Sequence, residues 1–405
     1  MKHSFLILCI FGTIFLTGCS KDDEPSPDPD YIQPHAETNR TVLAYFVGDM
    51  SLWNWLEEDV NHMEEGWNND IDGTLLVYLD NSHHLTQFGQ PVLLEITHDE
   101  SDMIVSKVVK AYDDQDAGDP KVMQKVLNDA ITLYPAKSHG LIIGAHGNGW
   151  LPEVKYDSET RALSGPDRYG STLEICELAD ILPVKYDFIM FHACNMANIE
   201  TVYQLRNKCN YVVASALPLP GYGYPYEKIV PYFYTKPYSD LYKVAYQSAL
   251  DYANIDSNLF SGFTVSVIKT SELEKFASAT SKLLDDLNMS YYDMYSSLVD
   301  NGILIDYYGN ALYDLSGLYY LSNNDELKEA YYDAIKKAVI QYYFIPGYME
   351  DKENAELMRR IEEYGSGMSF YLPFPIDNSI YTQTNTIFKN KYSWSKASGF
   401  DKDRI

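Results

Sequence analysis

Two side chains, Cys194 and His146, have the types needed to attack a carbonyl and to move a proton. Cys194 follows the apolar run Phe188, Ile189, Met190, Phe191 within YDFIMFHACNMANIE, residues 186–200. A run that short and bounded reads as a buried strand. Ala197 to Arg206 then reads as an amphipathic helix, with Ile199, Val202, Tyr203 and Arg206 at helical spacing. A cysteine between a strand end and a helix start sits at a sheet rim, where backbone N–H groups and the helix dipole favour a thiolate. His146 lies 48 positions upstream, at the end of the apolar run in LIIGAHGNGW, residues 141–150. Two parallel strands would deliver both residues to one edge. The imidazole would then assist the thiolate, the thiolate would attack a carbonyl, and the imidazole would protonate the leaving amine. Gly147, lacking a side chain, lets its N–H approach a substrate, and the N–H of Cys194 is a second donor to the oxyanion. This chemistry needs no metal and no organic cofactor.

The elements that must hold these residues alternate in type. Thr41 to Val47 reads as a strand, broken by Gly48-Asp49, and Trp53 to Glu65 as a helix with Trp53, Leu56, Val60 and Met63 on one side. Thr74 to Leu79 is the next strand, and Val92 to Thr97 a third, antiparallel at an edge. Pro120 starts a helix through Leu133 and suits its first turn. Gly140 to Ala145 carries His146. Residues 152–172 are polar and dotted with Gly and Pro, hence an exposed loop. Leu173 to Leu182 reads as helix, Tyr211 to Ser215 and Gly262 to Ile268 as strands. That alternation predicts an α/β domain over 39–270, a mostly parallel sheet flanked by helices. Ligands in such folds bind beyond the carboxyl ends of the strands, where His146, Cys194 and the loop after Ser215 fall. Residues 271–405 read as a mainly helical extension, Tyr-rich to about 343, with one late strand over Gly367 to Leu372.

Composition sets the partners. The net charge is −27, which disfavours nucleic acid, whose phosphates need clustered Lys and Arg. With 46% hydrophobic residues over 405 positions, a large core is expected. The 36 tyrosines predict many half-buried aromatic contacts. Lys2 and His3 precede an apolar run from Phe5 to Leu16, and Leu16-Thr17-Gly18-Cys19 resembles a bacterial lipobox. Residues 1–18 therefore read as a lipoprotein signal peptide, with Cys19 the lipidated residue. Ser20-Lys21-Asp22-Asp23-Glu24 resembles the acidic export tag of surface lipoproteins, and 19–38 reads as an acidic, Pro-rich tether. The expected place is the outer membrane, held by acyl chains and facing the cell surface or the periplasm. Cys176, Cys194 and Cys209 remain, and three thiols leave at least one unpaired.

Three motifs together, AHGNGW at 145–150, HACNMANIE at 192–200 and VVASALPLPGYGYPY at 212–226, resemble the clostripain family of cysteine peptidases. That family belongs with gingipains, legumains and separase among the caspase-like peptidases, whose His-then-Cys order at about 50 residues is also found here. YFVGDMSLW at 45–53, GFTVSVI at 262–268 and GMSFYLP at 367–373 extend the similarity over about 40 to 373. The resemblance implies a caspase-like sheet and a cysteine endopeptidase acting on peptides or proteins. It makes His146 the general acid/base, Cys194 the nucleophile, and Gly147 with Cys194 the oxyanion hole. One position departs. Where the family commonly carries Asp two residues before the nucleophile, this chain has His192, and an imidazole does not pair with guanidinium as a carboxylate does. Asp167, Asp187 or Glu200 could restore the negative charge. The expected pocket is His192, Ser215, Tyr222 and Tyr224. The departure keeps open a second reading, a catalytically weak surface lipoprotein that binds peptides or proteins. Family resemblance also implies self-cleavage between the two motifs, with Lys155, Arg161 and Arg168 as basic sites in 152–172. Calcium activation is implied by the family alone, since no Asp or Glu spacing here matches a calcium loop.

Overall fold

The structure is a computed structural model and describes residues 33–48, 51–81, 87–152, 163, 171–308, 311–348, 352–373 and 379–402. The signal run, Cys19, most of the tether, Asp49, Asp167 and most of the 152–172 loop lie outside the described residues.

The strands in chain order are β1 (Thr38–Val47), β2 (Thr74–Asp80), β3 (Val92–Glu95), β4 (Lys107–Ala111), β5 (Ala136–Gly144), β6 (Tyr186–His192), β7 (Cys209–Ala214), β8 (Gly262–Lys269), β9 (Asp306–Tyr308), β10 (Leu312–Asp314), β11 (Val339–Pro346) and β12 (Ser369–Tyr371). The helices are α1 (Trp53–Gly66), α2 (Pro120–Leu133), α3 (Ile175–Ile181), α4 (Ile199–Gln204), α5 (Tyr226–Ile229), α6 (Leu241–Asn254), α7 (Leu273–Leu287), α8 (Tyr291–Asp300), α9 (Ser316–Leu321), α10 (Asp325–Ala338), α11 (Lys352–Tyr364), α12 (Ser379–Lys391) and α13 (Ser393–Ser398). Nine strands form one sheet in the order β11-β8-β7-β6-β5-β1-β2-β3-β4. The middle, from β7 to β2, is parallel, as strands joined by helical crossovers must be. Antiparallel pairs finish both edges.

The middle strands are apolar on both faces because both faces are covered. In β1, Val42, Ala44 and Phe46 join one core with Leu56, Val60 and Met63 of α1 and with residues of α5 and α6. Leu43, Tyr45 and Val47 join the other, with Met123 and Leu127 of α2, Val202 of α4 and Phe276 of α7. The α2 start follows from sequence: Asp119 accepts the N–H of Lys121, and Pro120 opens the helix.

Three expectations need correction. The edge beyond Val92–Glu95 is formed by β4, whose two lysines suit an exposed edge. The stretch after 271 is mainly helical, as expected, with α7 to α13, but it also supplies strands to two sheets. β11 completes the large sheet beside β8, and β12-β10-β9 form a second, small sheet. Residues Pro34–Ile405 constitute one compact unit. The period misled because VIQYYFIP is a half-buried edge strand, whose burial barely alternates. The tether also ends earlier than residue 38. The His35 N–H binds the Leu133 carbonyl at 2.8 Å, and the His35 ring stacks on Tyr134 at 4.2 Å.

Candidate active site

Strands β5 and β6 run side by side with Gly144 opposite His192. Two residues further along each chain stand His146 and Cys194. The Ala145 N–H still reaches the His192 carbonyl at 3.3 Å, so the pairing continues past the strand ends. A Cβ at Gly147 would stand 2.6 Å from the Cys194 carbonyl oxygen and 3.0 Å from its nitrogen, so only glycine permits this approach. The two motifs thus meet at one rim.

Local chemistry turns the chain sharply there. Asn195 has φ 59, a left-handed conformation that Asn tolerates better than most residues. Asn198 caps α4 by accepting the Thr201 N–H at 2.9 Å and donates to the Asn195 carbonyl at 2.9 Å. Gly149, at φ +64, lies against the Asn198 side chain. HACNMANIE and AHGNGW are therefore two halves of one turn system.

The sulfur is served by two backbone donors. The Leu219 N–H points at Cys194 Sγ at 3.3 Å, and the Gly147 N–H also hydrogen-bonds it. Burial pushes the thiol up more than these donors lower it, so the resting sulfur is protonated at neutral pH. The expected helix dipole contributes little, because α4 begins five residues after Cys194 and the dipole fades within a turn. Leu219 was not foreseen. Its signal is local: between Pro218 and Pro220, which lack N–H groups, it is the one donor of the three. The loop carrying it is fixed from below. Ser215 Oγ donates to the Leu217 carbonyl at 2.8 Å and pairs with Thr264 Oγ1 at 2.8 Å. Thr264 Oγ1 accepts the N–H groups of Ala216 and Leu217.

His146 Nε2 lies 2.8 Å from the hydroxyl of Ser51, in the turn between β1 and α1. The pocket expectation fares differently. His192 is buried on the α1 face of the sheet, its Nδ1 3.1 Å from Tyr226 Oη and 3.5 Å from Asp59 Oδ2. Burial lowers its pKa to about 4, so the ring is neutral at pH 7, and burial likewise raises the Asp59 carboxyl well above the usual carboxylate range. Gly223, at φ +60, lies over the ring; a Cβ there would stand 2.6 Å from Nε2. Tyr224 is fully buried against His192 and Phe263, and Ser215 is fully buried as well. Of the four expected pocket residues only Tyr222 is exposed, edge-on to Trp55. His192, Ser215 and Tyr224 form the layer beneath the pocket because their polar groups are satisfied by, or sealed among, protein neighbours. Asp187 pairs with Arg40 at 3.1 Å, and Glu200 accepts the Tyr371 N–H. Neither reaches His192; Asp59, unremarked in the sequence, does.

The C-terminal segment braces both motifs. Trp150, ending AHGNGW, packs among Tyr371, Phe388 and Tyr392, and Tyr392 Oη donates to the Trp150 carbonyl. Among the described residues Cys176 and Cys209 are free thiols; burial pushes Cys209 up to about 12, which makes it an inert core residue. Among the described residues no group of three or more His, Cys, Asp or Glu is placed to hold a metal ion.

This sheet, with a cysteine and a histidine at adjacent strand ends, defines a class: the caspase-like cysteine peptidases. A model of the clostripain family matches residues 44–402, and the chain belongs to that family. It is similar to a secreted cysteine protease of Bacteroides thetaiotaomicron solved with an irreversible peptide inhibitor, at 29% identity and a TM-score of 0.72, covering 90% of this chain and 99% of that one. It is likewise similar to an inactive zymogen protease from Parabacteroides distasonis, at 25% identity and a TM-score of 0.70, with 90% and 99% covered. Clostripain of Hathewaya histolytica is 26% identical over 217 residues, which span 47% of this chain and 41% of that protein.

Proposed function

We propose that the chain is an endopeptidase in which Cys194 is the nucleophile and His146 the general acid/base. The observation that carries this is the convergence on one sulfur of the β5 end, the β6 end and the Leu219 loop. His146 takes the thiol proton as the sulfur bonds to the substrate carbonyl carbon. The oxyanion then accepts the N–H groups of Gly147 and Cys194. His146 passes its proton to the amine as the C–N bond breaks, and water releases the acyl group. A peptide-ketone probe that alkylates thiols tests the assignment. Labelling should vanish in Cys194→Ala and slow roughly 100-fold in His146→Ala. Equal labelling of all three proteins would overturn it.

The substrate side chain beside the cut is uncharged in this reading. His192 is neutral and covered, so no carboxylate at this position meets a guanidinium. A groove of about 440 Å³ beside Leu219, lined by Leu217, Leu259, Phe260, Leu357 and Met358, suits an apolar chain instead. Cleavage of a mixed peptide library should favour uncharged residues; dominance of Arg and Lys would refute this. The second reading, a weak enzyme that binds peptides, is favoured by the protonated resting sulfur, and the ketone probe separates the two. Lipid on Cys19 would hold the protein at the outer membrane. Metabolic labelling with a fatty-acid analogue should mark the wild type and not Cys19→Ser.

A further inference from the structure

We propose that the protein carries a carbohydrate-binding cleft, separate from the peptidase site, that takes a neutral pyranose ring of a glycan on the faces of Tyr320 and Tyr332.

The cleft has a volume of about 340 Å³ and lies where α9, the end of α10 and the end of α11 meet the start of β11. Val339 on its wall pairs with Ile268, near the carboxyl end of β8. The sulfur stands toward the other end of that strand, where Gly262 lines the groove beside Leu219. The proposal therefore does not rest on the peptidase reading.

Four tyrosines shape the cleft: Tyr319, Tyr320, Tyr332 and Tyr364. Their rings brace one another. Tyr319 meets Tyr320 at 5.1 Å and Tyr332 at 5.3 Å, and Tyr320 meets Tyr364 edge-on at 5.5 Å. The Tyr319 hydroxyl is held by Glu329 at 2.9 Å. Yet Tyr320 is 44% exposed and Tyr332 37%. Rings fixed around an open hollow are a preorganised surface for a flat apolar face, and the C–H face of a pyranose is one.

The polar groups choose among guests. Lys336, whose ammonium lies 4.0 Å from the Tyr332 ring centre, offers donors only. Glu363, anchored by Arg359, offers acceptors only. A guest with one sign of charge would meet one of them unfavourably, and an ammonium guest would compete with Lys336 for the Tyr332 face. A proline-rich peptide, which also docks on aromatic rings, brings carbonyl acceptors but few donors and leaves Glu363 unmatched. A sugar hydroxyl donates and accepts at once, so a ring bearing several of them satisfies both side chains. Ser366 adds a hydroxyl that serves either way.

The test is affinity electrophoresis of the full chain through native gels containing dextran, galactomannan or arabinogalactan, with polyproline as a separate arm. At least one polysaccharide should retard the wild type. Tyr320→Ala or Tyr332→Ala should weaken that binding about tenfold, while Tyr320→Phe and Tyr332→Phe, which keep the rings, should stay within about threefold. Lys336→Ala, an exposed change that leaves the tyrosines in place, should weaken it about threefold and decides the matter if an alanine variant of a tyrosine unfolds. Cys194→Ala should be retarded like the wild type, which separates this result from the fate of the peptidase reading. No retardation by any of the three polysaccharides, wild-type retardation of the alanine variants at Tyr320, Tyr332 and Lys336, or loss of binding in Cys194→Ala would overturn the proposal. Retardation by polyproline alone, lost in the same tyrosine variants, would give the cleft to a peptide instead.

Discussion

At the scale of single residues, the buried carboxyl of Glu200 shows how the site is tied to the rest of the fold. It stands in the first turn of α4, as the last residue of the nucleophile motif, and accepts the Tyr371 N–H of β12 at 2.9 Å. Burial pushes its pKa up to about 8. The unfolded chain releases this proton near the ordinary carboxylate pKa, whereas the folded chain keeps it to about 8. Stability is therefore lost as pH rises between these values, by an amount on the order of a few kcal/mol. Glu200→Gln keeps an acceptor for Tyr371 and removes the proton. It should flatten the pH dependence and raise the unfolding temperature more at pH 8 than at pH 5, measured by thermal denaturation. Cys194 and His146 were legible in the sequence because each follows an apolar run directly, and strand ends are where α/β folds place chemistry. The donors and acids around them were not. Leu219 reaches Sγ across 25 positions and Asp59 reaches His192 across 133, and only the closed fold brings such pairs together.

At the scale of elements, the loop after β7 is held by one hydroxyl of its neighbour β8. Thr264 Oγ1 receives two N–H groups and pairs with Ser215. Thr264→Val keeps the shape and strands those donors, at a cost of about 1–3 kcal/mol in urea denaturation. Because the loop carries Leu219, kcat should fall with it. A variant of wild-type stability would show that the hydroxyl does not hold the loop. The 152–172 loop supplies a second measurement. Incubated alone, the wild type should cleave itself within this loop at an uncharged residue rather than at Lys155, Arg161 or Arg168, and Cys194→Ala should stay whole; matching intact bands would end the idea. The strands of the sheet centre were legible, since each is a bounded apolar run covered on both faces. The edges were not. β4 and β11 lie half exposed, so neither a continuous run nor a clean alternation marks them.

At the scale of the molecule, the expected boundary at 270 disappears. Phe276, Leu283, Trp394 and Phe400 share a core with Ile189, Phe191 and Met196 beside the nucleophile. A chain ending at residue 270 would lose β11, the small sheet and a large part of that core. It should show no cooperative urea transition by circular dichroism, whereas the full chain should. A stable fragment would restore the two-part organisation. The tyrosine excess is explained at this scale too. Tyr45, Tyr78, Tyr134, Tyr203, Tyr226 and Tyr331 are fully buried among the largest core side chains, where the sequence suggested half-burial. Their hydroxyls find partners such as Ala117, Gln115 and Leu315, so the rings fill volume without stranding a donor.

Pro218-Leu219-Pro220 has one more effect. A guest chain lying extended along this rim would seek amide protons to pair with, rung by rung. Two rungs have none to give, and the third is already spent on sulfur. The rim is therefore poor at reading a guest by its main chain, and selection falls to the shapes of its side chains.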